Sequence, residues 1–168
     1  MNGFDFALKM ELDGERYYKN LAETVKYDEL KKVLEDLAED EQRHYRIIEL
    51  AKNQSLEQIE ENPYLTKVEN VFTITANIKS VEEHKDRIAK LKDEQSDVYR
   101  AALLKEKESV ALYKKLTEDA NTPEEKMFFA QLMHEEEKHV EVIDNIIEML
   151  NHVNDWVEAA EFNHQDTY

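Results

Sequence analysis

Two Glu-x-x-His motifs stand out among the residues that could bind a metal ion. They are Glu41 with His44, and Glu136 with His139. Residues three apart on a helix lie on the same face, so each motif presents a carboxylate and an imidazole together. Carboxylate oxygens and imidazole nitrogens are ligands for divalent metals such as iron and manganese. One such motif in a chain with 39 acidic residues is a weak signal, but two of them favour a metal site.

Two further glutamates, Glu11 and Glu106, each lie 30 residues before the glutamate of one motif. All four glutamates fall within the apolar stripe of a predicted helix. Burying an unpaired carboxylate costs on the order of several kcal/mol, and four converging carboxylates also repel one another. Two divalent cations would balance the four negative charges, and each neutral histidine would supply a nitrogen ligand. We therefore predict a two-metal site with the ligands Glu11, Glu41, His44, Glu106, Glu136 and His139.

The symmetry of this ligand set predicts how it divides between the two ions. Glu41 and His44 are expected to serve one metal, and Glu136 and His139 the other. A glutamate from each of two helices and Glu-x-x-His from each of the other two is the ligand pattern of carboxylate-bridged two-metal sites in four-helix bundles. In that pattern the Glu-x-x-His glutamates tend to bridge. The alternative is a charged bundle whose helix phase differs from the predicted one.

An internal repeat contains the whole set. Residues 11–50 align without a gap on residues 106–145, at an offset of 95 positions. The alignment places Tyr18 on Tyr113, and it places each Glu and each Glu-x-x-His motif of the first copy on its counterpart in the second. The repeat therefore indicates two copies of one helical hairpin, and the hairpins are expected to meet around the site.

Apolar residues at helical spacing predict four long helices, over residues 4–25, 29–53, 96–120 and 123–151. Asp28 is expected to cap the second helix. Thr122, Pro123 and Glu125 form a capping-box signature at the start of the fourth. The chain has only two Gly and two Pro, whereas an all-β fold needs many turn residues. The predicted fold class is therefore all-α.

A long connection, residues 54–95, joins the two hairpins. Its residues 64–79 are rich in β-branched side chains and are expected to be extended, and residues 80–83 signal a short helix. One long crossover between two hairpins is the ferritin-like form of the four-helix bundle. The tail, residues 152–168, is compatible with a short fifth helix around Trp156. The whole chain, residues 1–168, is expected to form a single domain.

Composition excludes several classes of function. The formal net charge of −17 disfavours nucleic acid and anionic membranes as partners. The absence of Cys excludes disulfides, iron–sulfur clusters and Cys-ligated zinc. The first residues do not form a signal peptide, and no apolar run is long enough to span a membrane. A cytoplasmic protein is therefore expected.

At these residues the chain resembles the rubrerythrin-like branch of the ferritin superfamily. The pattern of that branch is a Glu, a Tyr seven residues later and a Glu-x-x-His in the next helix, in two copies. Here the copies are Glu11, Tyr18, Glu41 and His44, then Glu106, Tyr113, Glu136 and His139. The resemblance covers most of residues 4–151. It implies a non-haem di-iron centre that handles peroxide, dioxygen or ferrous iron; manganese suits the same ligands, so iron comes from the resemblance.

Two departures from the family pattern bear on activity. Full rubrerythrins carry a Cys-ligated rubredoxin domain that passes electrons to the centre, and this chain has no Cys, so an external electron donor would be needed. They also carry an extra carboxylate three residues after the third-helix Glu, where this chain has Ser109. Glu15 is the candidate replacement, and it is otherwise expected to be a half-exposed helix residue.

Three functions follow from this pattern. The leading hypothesis is an oxidoreductase that reacts with peroxide or dioxygen at the two-metal site. The first alternative is a ferroxidase or an iron-binding or storage protein, and the second is a non-catalytic helical bundle that acts through a protein partner. The resemblance is compatible with a homodimer, with or without helix swapping through the connection.

Four more residues have two interpretations each. Tyr18 and Tyr113 lie two turns from a ligand Glu on the inner face, where they either donate hydrogen bonds to ligand carboxylates or pack as ordinary core aromatics. Asp40 and Glu135 precede the motif glutamates by one residue. Either acid could orient a histidine ring, but both are expected to be solvated.

Overall fold

The computed structural model of the chain describes residues 3–53 and 85–163. These residues form the helices α1 (Gly3–Thr24), α2 (Asp28–Lys52), α3 (Lys85–Lys92), α4 (Ser96–Asp119) and α5 (Pro123–Asn163). Helix α1 packs along α2 and α4 packs along α5, while α1 also contacts α4 and α3 contacts α5. The described ranges contain no strand, so the predicted all-α bundle of two hairpins is confirmed. No helix in these ranges is long and apolar enough to cross a membrane.

The helix starts follow the predicted capping chemistry only in part. The backbone N–H of Glu125 donates to Thr122 Oγ1 at 3.1 Å, and the backbone N–H of Asn121 donates to the Glu125 carboxylate at 3.0 Å. These two bonds confirm the capping box of α5. The predicted cap by Asp28 is wrong, because Tyr27 occupies the N-cap position and makes no side-chain cap hydrogen bond. Asp28 lies in the first turn instead, where its negative charge interacts favourably with the positive end of the helix dipole.

The last helix is longer than predicted. Helix α5 runs for 41 residues without a break, so the residues around Trp156 are helical but continue α5 instead of forming a separate short helix. No Gly or Pro follows Pro123 within it to end the helix early. Its extension also has a packing partner, because Val153 is buried in the same apolar cluster as Ile88 and Leu91 of α3. The expectation for residues 64–79 lies outside the described residues, as does the capping signature at 80–83, but the short helix predicted to follow that signature is present as α3.

Two apolar clusters fill the bundle on either side of a polar layer. The larger includes Leu34, Leu37, Ile143 and Ile146, and the smaller includes Ile48, Phe129 and Leu132. On α2, the motif Glu41-x-x-His44 lies between Leu37 of the larger cluster and Ile48 of the smaller. Helix α5 has the reverse order, with Leu132 of the smaller cluster before Glu136 and His139 and Ile143 of the larger cluster after them. The fold therefore holds the polar layer between two apolar ones.

Candidate metal centre

All six predicted ligands converge in the polar layer of the bundle. Helices α1 and α4 contribute one glutamate each, and α2 and α5 contribute one glutamate and one histidine each. All six residues are buried, with at most 4% of their surface exposed: Glu11, Glu41, His44, Glu106, Glu136 and His139. The helix phases taken from the apolar stripes therefore hold at these positions. Metal binding by the six residues stays a prediction.

The six side chains form two overlapping groups within the described part of the chain. One group is Glu11, Glu41, His44 and Glu136, and the other is Glu41, Glu106, Glu136 and His139. Within each group, one candidate ligand atom per residue lies within 4.8 Å of all the others. Glu41 and Glu136 belong to both groups, which is the placement expected of bridging carboxylates. Each group then has one glutamate and one histidine of its own.

Both histidines turn the same ring nitrogen toward the carboxylates. His44 Nδ1 lies 2.9 Å from Glu136 Oε1 and 3.4 Å from Glu11 Oε2. His139 Nδ1 lies 3.3 Å from Glu41 Oε1 and 3.5 Å from an oxygen of Glu106. The two rings are stacked, with centroids 5.5 Å apart and an interplanar angle of 19°. Each imidazole therefore aims its Nδ1 at the position of one predicted ion.

The donor atoms of this layer fit a pair of metal ions. Many of its buried polar atoms have no hydrogen-bond partner among the described residues: Glu11 Oε2, Glu106 Oε2, both oxygens of Glu136, and both ring nitrogens of His44 and His139. Buried polar groups in proteins are nearly always paired, so such a concentration calls for another partner. Carboxylate oxygens with one imidazole nitrogen for each ion suit divalent iron or manganese. The residues present thus fit a two-metal centre.

Without cations, burial and mutual repulsion make this layer retain protons. Burial raises the pKa of Glu41 well above its usual range, and the neighbouring carboxylates raise it further. Burial also raises the pKa of Glu106, to about 7. Burial by itself lowers the pKa of His44, but Glu11 and Glu136 outweigh it and raise that pKa to about 9. Metal ions would replace these protons as the positive partners of the carboxylates.

The two tyrosines of the repeat hydrogen-bond to candidate ligand glutamates across the bundle. The Tyr18 hydroxyl donates to Glu106 Oε1, and the Tyr113 hydroxyl donates to Glu11 Oε1. Both tyrosines are buried. Each bond engages one carboxylate oxygen and leaves the other, Oε2, facing a histidine. The structure therefore favours the interpretation of Tyr18 and Tyr113 as partners of the ligands over that of ordinary core aromatics.

The expectation that Asp40 and Glu135 are solvated is wrong. Both are buried, at 2% and 4% exposure, because they face the α2–α5 interface. Asp40 Oδ2 lies 3.5 Å from His139 Nε2, while its Oδ1 accepts a hydrogen bond of 2.9 Å from Arg43. Arg43 also reaches Glu135 Oε2 at 3.2 Å. Asp40 therefore lies on the Nε2 side of the His139 ring, while Nδ1 faces the cluster.

The sequence did contain a signal for these two acids. A basic residue follows each of them three positions later, Arg43 after Asp40 and Lys138 after Glu135. Lys138 Nζ lies 3.2 Å from Glu135 Oε1, and Arg43 makes the equivalent contact with Asp40. A charged partner one helical turn away makes the burial of an acid less costly.

Neither Glu15 nor Ser109 extends the cluster. Glu15 is buried rather than half-exposed as expected, since its carboxylate pairs with Lys19 and lies 3.4 Å from Gln42 Nε2. It belongs to neither group of candidate ligands among the described residues. The Ser109 hydroxyl donates to the backbone oxygen of Lys105 at 3.2 Å and contacts Met10 Sδ at 3.3 Å.

A cleft of about 540 Å³ between α1 and α4 leads to the polar layer, and Tyr18, Glu41 and Glu106 line it. Gly14 also lines the cleft, and a Cβ atom added there would lie 3.1 Å from Glu41 Cδ. Because glycine has no side chain, the carboxylate of Glu41, which belongs to both ligand groups, can lie close against α1. Sequence reasoning missed Gly14, because a single glycine inside a helical pattern does not reveal what it faces.

Among the comparisons with known proteins, the one with protein-family models gives a match. The Rubrerythrin family model matches residues 4–147, a range that contains all six converging residues and both tyrosines. Neither the curated proteins nor the solved structures gave a significant match. The match spans most of the chain, and it agrees with a bundle of two hairpins around a carboxylate and histidine layer.

Proposed function

Because the chain belongs to the rubrerythrin family, we propose that it is a non-haem di-iron oxidoreductase that reacts with peroxide or dioxygen. One observation carries the proposal: two groups of buried candidate ligands share Glu41 and Glu136. A structural ion pair would need no such sharing. Overlapping groups suit two ions held close together by bridging carboxylates. Family membership favours iron, and manganese fits the same donors.

We assign the ligands according to the two groups. Glu11 and His44 would bind one ion alone, and Glu106 and His139 the other. Glu41 and Glu136 would contact both. Four carboxylates would then balance the charge of two divalent ions, which removes the need for the protons that the metal-free layer retains.

Two iron ions held close together would supply a two-electron exchange with an oxygen substrate. The chain's own residues prepare the site for it. Apolar clusters lie on either side of the layer, and the cleft between α1 and α4 reaches it. Tyr18 lines that cleft, and burial keeps its pKa well above 10, so its hydroxyl remains protonated beside Glu106. Tyr18 is therefore the candidate group to hold a proton near an incoming substrate.

Turnover would need electrons from outside the chain. With no Cys, the sequence cannot hold a rubredoxin-type site. We therefore propose an external electron donor as a partner.

Ser109 favours a second candidate function, that of a ferroxidase or iron-binding protein. The resemblance places an extra carboxylate at this position in full rubrerythrins, whereas the Ser109 hydroxyl is occupied by Lys105 and Met10. A centre without that carboxylate could still bind and oxidise ferrous iron. In this case Fe(II) is the substrate and peroxide is not turned over repeatedly.

The experiment that tests the proposal follows one preparation through two assays. The chain is loaded with Fe(II) without oxygen, its iron content is measured, and peroxide is added with and without a surrogate reductant. Bound iron with many turnovers of peroxide supports the oxidoreductase. Iron that is oxidised once without further peroxide consumption supports the ferroxidase. Failure to bind iron defeats both and favours a non-catalytic bundle.

A further inference from the structure

The cleft between α1 and α4 is larger than peroxide or dioxygen requires. Its volume of about 540 Å³ lies in the range of pockets that bind drug-sized organic molecules, about 300–1,000 Å³. We infer that it binds an amphiphilic organic anion, a chain of fatty-acid type, with its apolar part near the metal layer and its carboxylate at the rim. That this ligand is a substrate of the centre rests on the proposed function, whereas the binding itself does not.

The inner end of the cleft is open because the two repeats carry small residues at the same position. Gly14 lies three residues after Glu11, and Ser109 lies three residues after Glu106; both line the cleft. A Cβ atom added at Gly14 would lie 3.1 Å from Glu41 Cδ, so a larger side chain there would occupy the space in front of Glu41. The cleft therefore reaches a carboxylate that belongs to both groups of candidate ligands.

The walls of the cleft are suited to an apolar chain. Phe6, Met10, Tyr17 and Leu112 line it, and Phe6 is 51% exposed. Covering this apolar surface with an apolar ligand removes it from water, which favours binding.

The charge at the rim is opposite in sign to that of the chain. Three lysines line the cleft, Lys9, Lys105 and Lys115, with two exposed acids, Asp13 and Glu108. The chain as a whole has 39 acidic and 22 basic residues. None of the three lysines forms an ion pair with a residue of the described ranges, although Lys105 Nζ lies 6.0 Å from the Tyr17 ring centroid. Unpaired lysines attract an anion and disfavour this route for Fe(II).

The lysines lie at different ends of the cleft. The bonds of Tyr18 with Glu106 and of Tyr113 with Glu11 require α1 and α4 to run antiparallel. Lys9 and Lys115 consequently lie toward the end near Phe6, and Lys105 lies toward Tyr17. The pair Lys9 and Lys115 therefore places the carboxylate of the ligand at the end near Phe6, and its attached chain runs from there along the apolar wall toward Tyr17.

Calorimetric titration of the full chain with dodecanoate tests the binding, with and without bound iron. We expect saturable binding of one dodecanoate. Dodecyltrimethylammonium, which has the same chain and the opposite charge, should bind at least about tenfold more weakly. Equal affinity for both amphiphiles, or no saturable binding of dodecanoate, would overturn the inference. Access of only small probes such as azide to the cleft would also overturn the inference.

Two pairs of variants locate the site. Lys9→Glu with Lys115→Glu should weaken dodecanoate binding about tenfold or more, whereas Lys114→Glu, exposed on α4 but outside the cleft, should change it about twofold at most. Ala111→Trp fills the cleft and should abolish binding, while Ala101→Trp, exposed on the same helix, should not. Loss of binding in a control, or retention in a cleft variant, contradicts the inference. Circular dichroism confirms that each variant folds.

The outcomes also separate this inference from the proposed function. Dodecanoate binding by a chain that takes up no iron would leave the cleft site standing and defeat the di-iron proposal. Two bound iron ions without dodecanoate binding would support the di-iron proposal and defeat the cleft site.

Discussion

The Tyr18 hydroxyl, from the first repeat, donates a hydrogen bond to Glu106 of the second. Tyr113 donates to Glu11 in the opposite direction, so the two bonds cross the bundle as a symmetric pair. Each repeat therefore supplies a hydrogen bond to a candidate ligand of the other. A single hairpin would carry a glutamate without the tyrosine that holds it, which ties formation of the centre to the docking of the two hairpins.

Removing one of these hydroxyls should weaken metal binding. Tyr18→Phe leaves the ring in the core but frees Glu106 Oε1, and loss of such a supporting bond typically lowers metal affinity about 10–100-fold. Competition with a chelator measures the change. Tyr99→Phe is the matched control, because Tyr99 is equally buried but bonds to Glu94 rather than to a candidate ligand. An equal effect of both substitutions would show that the Tyr18 bond has no role in metal binding.

A shared glutamate should matter more than an unshared one. Glu136→Ala removes a ligand from both groups, so the variant should retain much less than one metal for each chain. Glu11→Ala removes a ligand from one group and should leave the other ion in place. Elemental analysis of the two variants gives the stoichiometries, with Glu137→Ala, exposed beside Glu136, as the control. Equal losses in the Glu11 and Glu136 variants would contradict the assignment of bridging carboxylates.

Much of this site was predictable from residue order because helical periodicity fixes which residues share a face. Glu41 and His44 lie among Leu37 and Ile48 in the sequence as they do in the core, so their burial follows directly. Contacts between side chains of different helices do not follow from periodicity. The burial of Asp40 depends on Arg43 and on the neighbouring α5, and spacing along α2 contains no information on α5.

The length of α5 was missed for the same reason. Residues 151–155 are mostly polar, and on their own they favour the end of a helix. Packing of Val153 with Ile88 and Leu91 of α3 supplies the stabilisation that local propensity lacks. Asp28 illustrates the opposite case, since a residue suited to capping lies one position inside the helix that it was expected to cap.

Protons should compete with metal ions at this centre. Carboxylates around His44 raise its metal-free pKa to about 9, so metal binding near neutral pH must displace a proton from it. The pKa of Glu106, about 7, adds a second proton in the same range. The affinity for Mn(II), which resists oxidation, should therefore rise as the pH increases from 6 to 8. Titrations at several pH values measure it, and a pH-independent affinity would contradict the proton-retaining layer.

Gly14→Ala should separate stability from metal binding. Alanine favours a helix interior over glycine by about 1 kcal/mol, so the metal-free variant should gain up to about that much in the free energy of unfolding. The new Cβ would lie 3.1 Å from Glu41 Cδ, so the shared carboxylate must shift and metal affinity should fall. Thermal unfolding and chelator competition measure the two effects. Asn20→Ala, exposed on the same helix, should leave metal affinity unchanged.

The most direct test of the two-metal centre is anomalous diffraction at the iron absorption edge from crystals of the chain loaded with Fe(II). The account predicts two peaks, one beside Glu11 and His44 and one beside Glu106 and His139, with Glu41 and Glu136 in contact with both. A single peak, peaks elsewhere, or no iron within the six converging side chains would contradict it.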